Sequence, residues 1–246
     1  MRAKRVLGLI LLLAWLLASL MAQPIYAQDK SLYWGNYDVA ITVQPDGCFR
    51  VVETQELVFT VGTFRFGVRT IPTESTSSID AVQVSELGGQ AYTRSSSGDP
   101  YTFDVSQVDG NLNVRYNFPP TSDASRTIVI EYTVCGGLLY YPAGDQLVWQ
   151  AVPSNDSFPI QKASVTVHLP DGAAITNYDA TGPQGTANLI DNSQGVRFVA
   201  DEPIRPGSNN FAVRVQWPSG IVAGQPADWQ VAMDRQDQIE PVANLG

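Results

Sequence analysis

The chain has 246 residues, of which 44% are hydrophobic and only 16% are charged, and its formal net charge is −9. Low charge together with 20 glycines and 16 prolines suits a β-rich globular protein better than a helical or disordered one. The excess of acidic residues argues against a nucleic-acid partner and against electrostatic binding to anionic lipid.

Residues 1–27 have the pattern of a secretory signal peptide. A basic start is followed by an apolar run over residues 6–22, then by Pro24 and a plausible cleavage residue, Ala27. The alternative is an uncleaved membrane anchor, although the apolar run is shorter than the roughly 20 residues that span a bilayer. Both interpretations place the rest of the chain outside the cytoplasm.

The stretch over residues 46–72 begins with the turn Asp46-Gly47 and continues into a strand predicted over residues 49–60. Side chains alternate along a strand, so Glu53 and Gln55 fall on a mainly apolar face. A carboxylate pointing inward is costly unless it is paired and hydrogen-bonded, and Arg69 is the candidate partner. The alternative is that Glu53 reaches solvent at a sheet edge.

Short strands separated by turn residues recur along residues 32–218, and no pattern of helix length appears before the end of the chain. Asp109-Gly110, between two apolar runs, predicts a hairpin. This pattern predicts an all-β fold, an antiparallel β-sandwich of the immunoglobulin-like or a related type. A break near residues 152–159 leaves open whether there is one large sandwich or two small ones in tandem.

The two cysteines of the chain are Cys48, just before the strand over residues 49–60, and Cys135, just after a strand over residues 127–134. If these strands are antiparallel neighbours, the start of one lies beside the end of the other. That geometry permits a disulfide in an exported protein. The alternative is two buried, unpaired thiols.

The pattern of the sequence changes after Pro218, where the strand signals end. A weak amphipathic helix is predicted over residues 226–245, with Trp229, Met233 and Ile239 on one face, and Pro241 should end or kink it. Residues 219–246 therefore read as a short helix or a juxtamembrane stalk.

No catalytic, cofactor-binding or metal-binding residues are predicted. The single histidine, His168, lies on the predicted outer face of a strand, and a zinc site or a catalytic triad would lack partners. We therefore expect a non-enzymatic protein that binds or interacts. The alternative is a carbohydrate-active enzyme or lectin that uses scattered carboxylates and aromatics, among them Tyr140, Tyr141 and Trp149.

Short motifs in a consistent order resemble the extracytoplasmic N-terminal domain of the YciQ-like predicted bacterial membrane proteins, a domain of unknown function. The matching segments are Asp46-Gly47, Val52-Glu53-Thr54, Gly67-x-Arg69-x-Ile71-Pro72, Asp145-x-Leu147-x-Trp149, Phe158-Pro159-Ile160 and Trp217-Pro218-Ser-Gly220. The resemblance covers residues 33–220 and implies an exported β-rich domain on the outer face of the cytoplasmic membrane. It also implies a transmembrane segment beyond Gly246, and an envelope protein or glycan as a possible partner.

Overall fold

The computed structural model describes residues 30–153 and 157–243, with side chains described as far as Gln236. The predicted signal peptide lies outside these residues. The strands described are, in chain order, β1 (Ser31–Val43), β2 (Cys48–Val61), β3 (Phe64–Pro72), β4 (Ser78–Glu86), β5 (Thr93–Arg94), β6 (Thr102–Val108), β7 (Asn111–Thr121), β8 (Ala124–Cys135), β9 (Leu138–Leu139), β10 (Asp145–Val152), β11 (Ala163–His168), β12 (Asn177–Thr181), β13 (Gly185–Ile190), β14 (Gly195–Ala200) and β15 (Phe211–Trp217).

One helix, α1 (Asp228–Ala243), follows the last of these strands. The predicted fold class, all-β with a short helix near the C-terminus, is confirmed. The hairpin at Asp109-Gly110 joins β6 and β7 as expected, with both turn residues at positive φ.

A central sheet of seven strands has the order β13-β14-β11-β1-β2-β8-β4. Most of its neighbours are antiparallel, as the alternating patterns predict, but β1 and β11 run parallel. A second parallel pair joins β5 and β6 in another sheet. The sheets are therefore mainly antiparallel, and the two parallel pairs could not be predicted, because alternation shows which face a residue occupies and not the direction of its neighbour.

Two four-stranded sheets pack against the central sheet, one of order β3-β7-β6-β5 and the other of order β12-β15-β10-β9. The first contacts β2 through Phe59 and Phe64, whose ring centroids are 4.9 Å apart. The second contacts β2 through Phe49 and Trp149, at 5.1 Å. Both sheets therefore cover the inward face of β2, one near each end of the strand.

Strands from both sides of residues 152–159 belong to the central sheet. Tyr37 of β1 is paired with Ala163 of β11, and their neighbours continue the register as far as Thr42 and His168. A long parallel connection of this kind cannot be read from local sequence patterns.

Helix α1 begins close to its predicted start, but it continues two residues past Pro241 to Ala243, so the proline does not end the helix. A proline near the C-terminal end disturbs few intrahelical hydrogen bonds. The expected apolar contact face is also wrong at Met233, which is exposed, whereas Gln230 is completely buried.

Gln230 explains how the helix is held on the domain. Its amide accepts from the backbone N–H of Tyr140 at 3.1 Å and donates to the Tyr140 carbonyl at 2.9 Å. The Trp229 indole donates to the Gly136 carbonyl at 2.7 Å.

Within the described ranges, no helix is both long enough and apolar enough to cross a membrane.

Candidate functional site

The Glu53 carboxylate, on the inward face of β2, is completely buried. Both of its oxygens accept hydrogen bonds from the Arg69 Nε, at 3.0 Å for Oε1 and 2.8 Å for Oε2. The Tyr132 hydroxyl donates to Oε1 at 2.7 Å, and the Tyr37 hydroxyl donates to Oε2 at 2.6 Å. Gln55 Nε2 also donates to Oε2, at 2.9 Å. We call these five side chains the Glu53 cluster.

Arg69 reaches this carboxylate from β3, which belongs to a different sheet. Along β3, Arg69 and Ile71 point inward, while Val68 and Thr70 point outward. The Arg69 Nη1 donates to the Thr70 carbonyl, so the guanidinium is held by its own strand as well as by Glu53. The ion pair expected between Glu53 and Arg69 is present, and it joins the central sheet to the sheet of β3.

Gly67 allows β3 to approach its neighbour closely at this point. A Cβ atom at residue 67 would lie only 2.4 Å from the ring of Tyr116 on β7. Such a distance is not tolerated between real side chains, so we expect that any other residue here would push Tyr116 aside. The glycine therefore helps set the position of Arg69, two residues farther along the strand.

Sequence reasoning proposed Glu53 and Arg69 but missed the two tyrosines. Tyr37 shares the inward face of β1 with Val39 and Ile41, and Tyr132 shares that of β8 with Ile130. The alternation of side chains along β1 and β8 could have shown that both tyrosines lie on inward faces. It could not show that both hydroxyls converge on one carboxylate, because β1 and β8 lie on opposite sides of β2 and far apart in the chain.

The electrostatics keep every donor of the cluster protonated. Burial, followed by the nearby Glu53 carboxylate, raises the pKa of Tyr132 well above its ordinary value. Burial likewise raises the pKa of Tyr37. Burial is the largest single influence on Arg69 and would lower its pKa, but the Glu53 carboxylate together with Tyr37 and Tyr132 outweighs burial, so the pKa lies well above its ordinary value. The arrangement is a stable set of donors around one acceptor.

The disulfide expected between Cys48 and Cys135 is present, with the two Cα atoms 4.3 Å apart. Cys48 begins β2 and Cys135 ends β8, and the two residues are directly paired in the register of these strands. The bridge lies at the end of the central sheet where α1 docks, because Gly136 accepts the hydrogen bond from Trp229.

A cavity of about 230 Å³ lies beside the Glu53 cluster. Its walls come from β1, β2, β3 and the segments on either side of residues 154–156. The lining residues are Trp34, Tyr37, Gln55, Val68, Arg69, Thr70, Pro153 and Ile160. We call it the Arg69 cavity.

A larger groove of about 560 Å³ lies between β12 and β13 and contains Asp179 and Asp201. Both aspartates are exposed, and of the aromatic residues in its lining Phe198 and Phe211 are core residues while Tyr178 is partly buried. The aromatic residues named above for sugar binding do not form one exposed surface, since Trp149 is buried in the core. His168 lies 3.5 Å from an Asp191 oxygen, and the part of the chain that is described holds no group of three or more potential metal ligands.

Residues 34–219 match the family model described as the N-terminal domain of a predicted membrane protein (DUF2207). The match covers most of the chain. The chain belongs to this family. The DUF2207 region includes every residue of the Glu53 cluster, the disulfide and the Arg69 cavity, whereas helix α1 lies beyond it. No curated protein matches the chain.

Among solved structures, the DUF2207 domain is similar to an M1 zinc metallopeptidase from Deinococcus radiodurans, with 14% identity and a TM-score of 0.43. The similarity covers 77% of this chain and 43% of the peptidase. A candidate protease from Parabacteroides distasonis has 12% identity and a TM-score of 0.43, with coverage of 77% and 40%. The chain thus spans less than half of either protein, and with such scores the likeness carries no argument about function.

Proposed function

We propose that this chain is the extracytoplasmic domain of a membrane-anchored cell-envelope protein of the YciQ-like type, and that it acts by binding rather than by catalysis. The observation that carries the proposal is the disulfide between Cys48 and Cys135 in the central sheet. Disulfides persist in oxidising compartments outside the cytoplasm. The family description, a predicted membrane protein, supports an anchor in the membrane.

The state of Glu53 argues against a catalytic role for this carboxylate. A catalytic carboxylate needs access to a substrate, or to a water molecule that reacts with it. Glu53 is completely buried, and four other side chains donate to its two oxygens. The Glu53 cluster therefore joins the central sheet to the sheet of β3.

A carbohydrate-active enzyme is the second candidate, and the groove with Asp179 and Asp201 is the observation that favours it. Glycosidases use two carboxylates, one of them kept protonated by an apolar environment. Both aspartates of the groove are exposed, which weakens this candidate. If Asp179→Asn or Asp201→Asn abolished hydrolysis of an envelope glycan by the purified protein, the second candidate would replace the first.

Location is tested in cells that express the full-length gene product. We expect it to fractionate with membranes, to resist a carbonate wash, and to lose this domain when protease is added outside the cytoplasmic membrane. Trapping thiols with an alkylating reagent before lysis should leave Cys48 and Cys135 unmodified. Alkylation of both cysteines, with the domain protected from external protease, would contradict the proposed location.

A further inference from the structure

Strand β13 forms an edge of the central sheet that lacks the usual protection against pairing. Natural proteins protect the edge strands of their sheets with bulges, charges, prolines or very short strands. Among the other edge strands described here, β5 and β9 have two residues each, and β3 and β4 contain register shifts. The edge strand β12 carries the exposed Asp179. β13 pairs regularly with β14 over its whole length and contains no charged residue or proline.

The free backbone groups of β13 include those of Ala187 and Leu189. The N–H of Asp201 donates to the Gln184 carbonyl at 2.9 Å, in continuation of the register between β13 and β14. Because hydrogen-bonded positions alternate along an antiparallel pair, the N–H and C=O groups of Ala187 and Leu189 point away from β14. No described strand pairs with β13 on that side. A further extended segment can therefore hydrogen-bond to this edge, a recognition mode known as strand addition.

A groove beside this edge can receive side chains of an added segment. It has a volume of about 560 Å³ and lies between β12 and β13, and we call it the Asp201 groove. Its lining includes Tyr178 and Phe198, whose ring centroids are 6.2 Å apart. Leu189 points to the same side of the sheet as its buried partner Val196 on β14, yet it is 41% exposed. The inward face of β13 is therefore incompletely covered, and alternate apolar side chains of an added strand would cover it.

The charge of the Asp201 groove indicates basic side chains in the partner. Asp179 and Asp201 line the groove, and the described residues around it include no lysine or arginine. Arg214 lies directly opposite Asp179 in the register of β12 and β15, so Asp201 is the less compensated of the two aspartates. A second copy of this chain, whose net charge is −9, would bring further negative charge to this edge. A basic partner of different sequence fits the groove better than a second copy.

We propose that β13 binds an extended segment of a partner polypeptide by strand addition, with alternate apolar side chains of the segment in the Asp201 groove and a lysine or arginine beside Asp201. This inference rests on the proposed binding function and names the class of its partner. It uses no residue of the Glu53 cluster or of the Arg69 cavity.

Hydrogen exchange at single backbone amides tests strand addition in the purified chain. The probe is the acetylated and amidated peptide KTVTVTVK, which alternates apolar and polar residues between two lysines. At about ten times its dissociation constant, the peptide should slow exchange at Ala187 and Leu189 about tenfold. Exchange at Thr186 and Asn188, whose amides point towards β14, should change little. The same peptide with N-methyl groups on its central residues lacks the donors for pairing and should give no protection.

Two exposed leucines at opposite edges of the central sheet provide matched variants. Leu189→Lys places a charge on the inward face of β13, which opposes edge pairing, and should weaken binding of the peptide by about tenfold or more. Leu87 is 63% exposed and follows β4 at the other edge of the sheet, so Leu87→Lys should bind the peptide like the wild type.

Asp201→Asn tests the charge of the groove without changing its shape. It should weaken binding of KTVTVTVK about two- to fivefold and reduce the advantage of this peptide over one with glutamates at both ends. Asp201 is exposed, so this variant tests the site even if Leu189→Lys does not fold.

Every other outcome of these experiments overturns the inference. Unchanged exchange at Ala187 and Leu189 removes the site, and equal protection by the N-methylated peptide excludes strand addition. Protection by a trimer of N-acetylglucosamine instead makes the groove a sugar site, and protection that rises with protein concentration alone makes it a contact between copies. Peptide binding that neither Leu189→Lys nor Asp201→Asn weakens would preserve the proposed binding function and locate it elsewhere, whereas failure of the location test would leave a positive peptide result standing.

Discussion

At the scale of single residues, Arg69 compensates the one carboxylate at the centre of the Glu53 cluster. Removing one partner of a buried ion pair leaves an uncompensated charge and costs about 3 to 5 kcal/mol. We therefore expect Arg69→Ala to lower the free energy of unfolding by about that amount in urea titrations.

Arg94→Ala is the matched control, because Arg94 is exposed on the short strand β5. We expect it to change stability by less than about 0.5 kcal/mol. The double variant Glu53→Leu/Arg69→Met should be more stable than Arg69→Ala alone, since it removes both charges together. Equal and small effects of Arg69→Ala and Arg94→Ala would show that the pair does not stabilise the fold.

The two hydroxyls that reach Glu53 should also matter individually. Tyr132→Phe removes the donor 2.7 Å from Oε1, and a hydrogen bond to a charged group is worth about 1.5 to 3 kcal/mol. Tyr116→Phe is a matched control, since Tyr116 is equally buried but its hydroxyl donates to no described residue. Thermal unfolding should show a clear loss for Tyr132→Phe and little for Tyr116→Phe. The reverse order would contradict this account of the cluster.

Alkaline pH provides an independent test of the buried tyrosines. Burial raises the pKa of Tyr37 and Tyr132 in the folded state, whereas tyrosines of the unfolded chain ionise near pH 10. Above about pH 10 the folded state therefore binds more protons than the unfolded state, and stability falls as pH rises. Each such tyrosine contributes a slope of about 1.4 kcal/mol per pH unit.

The measurement is the free energy of unfolding in urea at pH values from about 8 to about 11.5. We expect no contribution from these tyrosines below about pH 9 and a steep loss above about pH 10. Tyr132→Phe should reduce the slope by one proton. A stability that stays constant across the alkaline range would mean that the tyrosines are not held protonated by the fold.

At the scale of elements, the disulfide fastens β2 to β8 across 87 positions of sequence. The chain-entropy model assigns a loop of this length up to about 4 to 5 kcal/mol, and measured values are usually smaller. We expect Cys48→Ser/Cys135→Ser to lower the melting temperature clearly. Denatured, unreduced wild-type protein should show no free thiol, and two free thiols would exclude the bridge.

The strands that could be predicted from sequence are those with one buried and one exposed face. β2 alternates from Cys48 to Phe59, β8 alternates from Ile128 to Cys135, and β15 alternates over its whole length. β12 and β13 are mostly exposed and polar, so they lack the alternating signal and were missed. β3 was recognised only as a segment with a conspicuous arginine, because its glycine and terminal proline obscure the pattern.

The candidate site could likewise be predicted only where a local argument was enough. An inward carboxylate demands a cation, so Glu53 led to Arg69 by a local physical argument. Tyr37, Tyr132 and the Arg69 cavity depend on pairings between distant strands, including the parallel pair of β1 and β11. Such pairings follow from the whole fold and leave no mark in a short stretch of sequence.

At the scale of the whole molecule, Ser31, where strand β1 begins, and helix α1 lie at opposite ends of the long strands β1 and β2. β1 begins at Ser31, which is paired with Val61, and ends at Val43, beside Phe49 and the disulfide. Thirteen residues of extended strand span about 40 Å. Helix α1 docks at the disulfide end, through Trp229 and Gly136.

This geometry distinguishes the two interpretations of the N-terminal apolar run. If the protein is anchored through a segment after α1, as the family resemblance implies, the disulfide end lies near the bilayer and the Ser31 end points away. If the run over residues 6–22 remains as an anchor, the Ser31 end lies near the bilayer. In the full-length protein we expect the first arrangement.

Exposed residues at the disulfide end and at the Ser31 end allow the orientation of the domain on the bilayer to be measured. A fluorophore attached through Asp46→Cys reports on the disulfide end, and one attached through Arg65→Cys, on the strand that begins just beyond Val61, reports on the other. With an acceptor dye on the lipid of nanodiscs that hold the full-length protein, energy transfer should be stronger from residue 46, because a difference of about 40 Å along the strands is comparable to the range of the method. Stronger transfer from residue 65 would show that the N-terminal run anchors the protein and would reverse the proposed orientation.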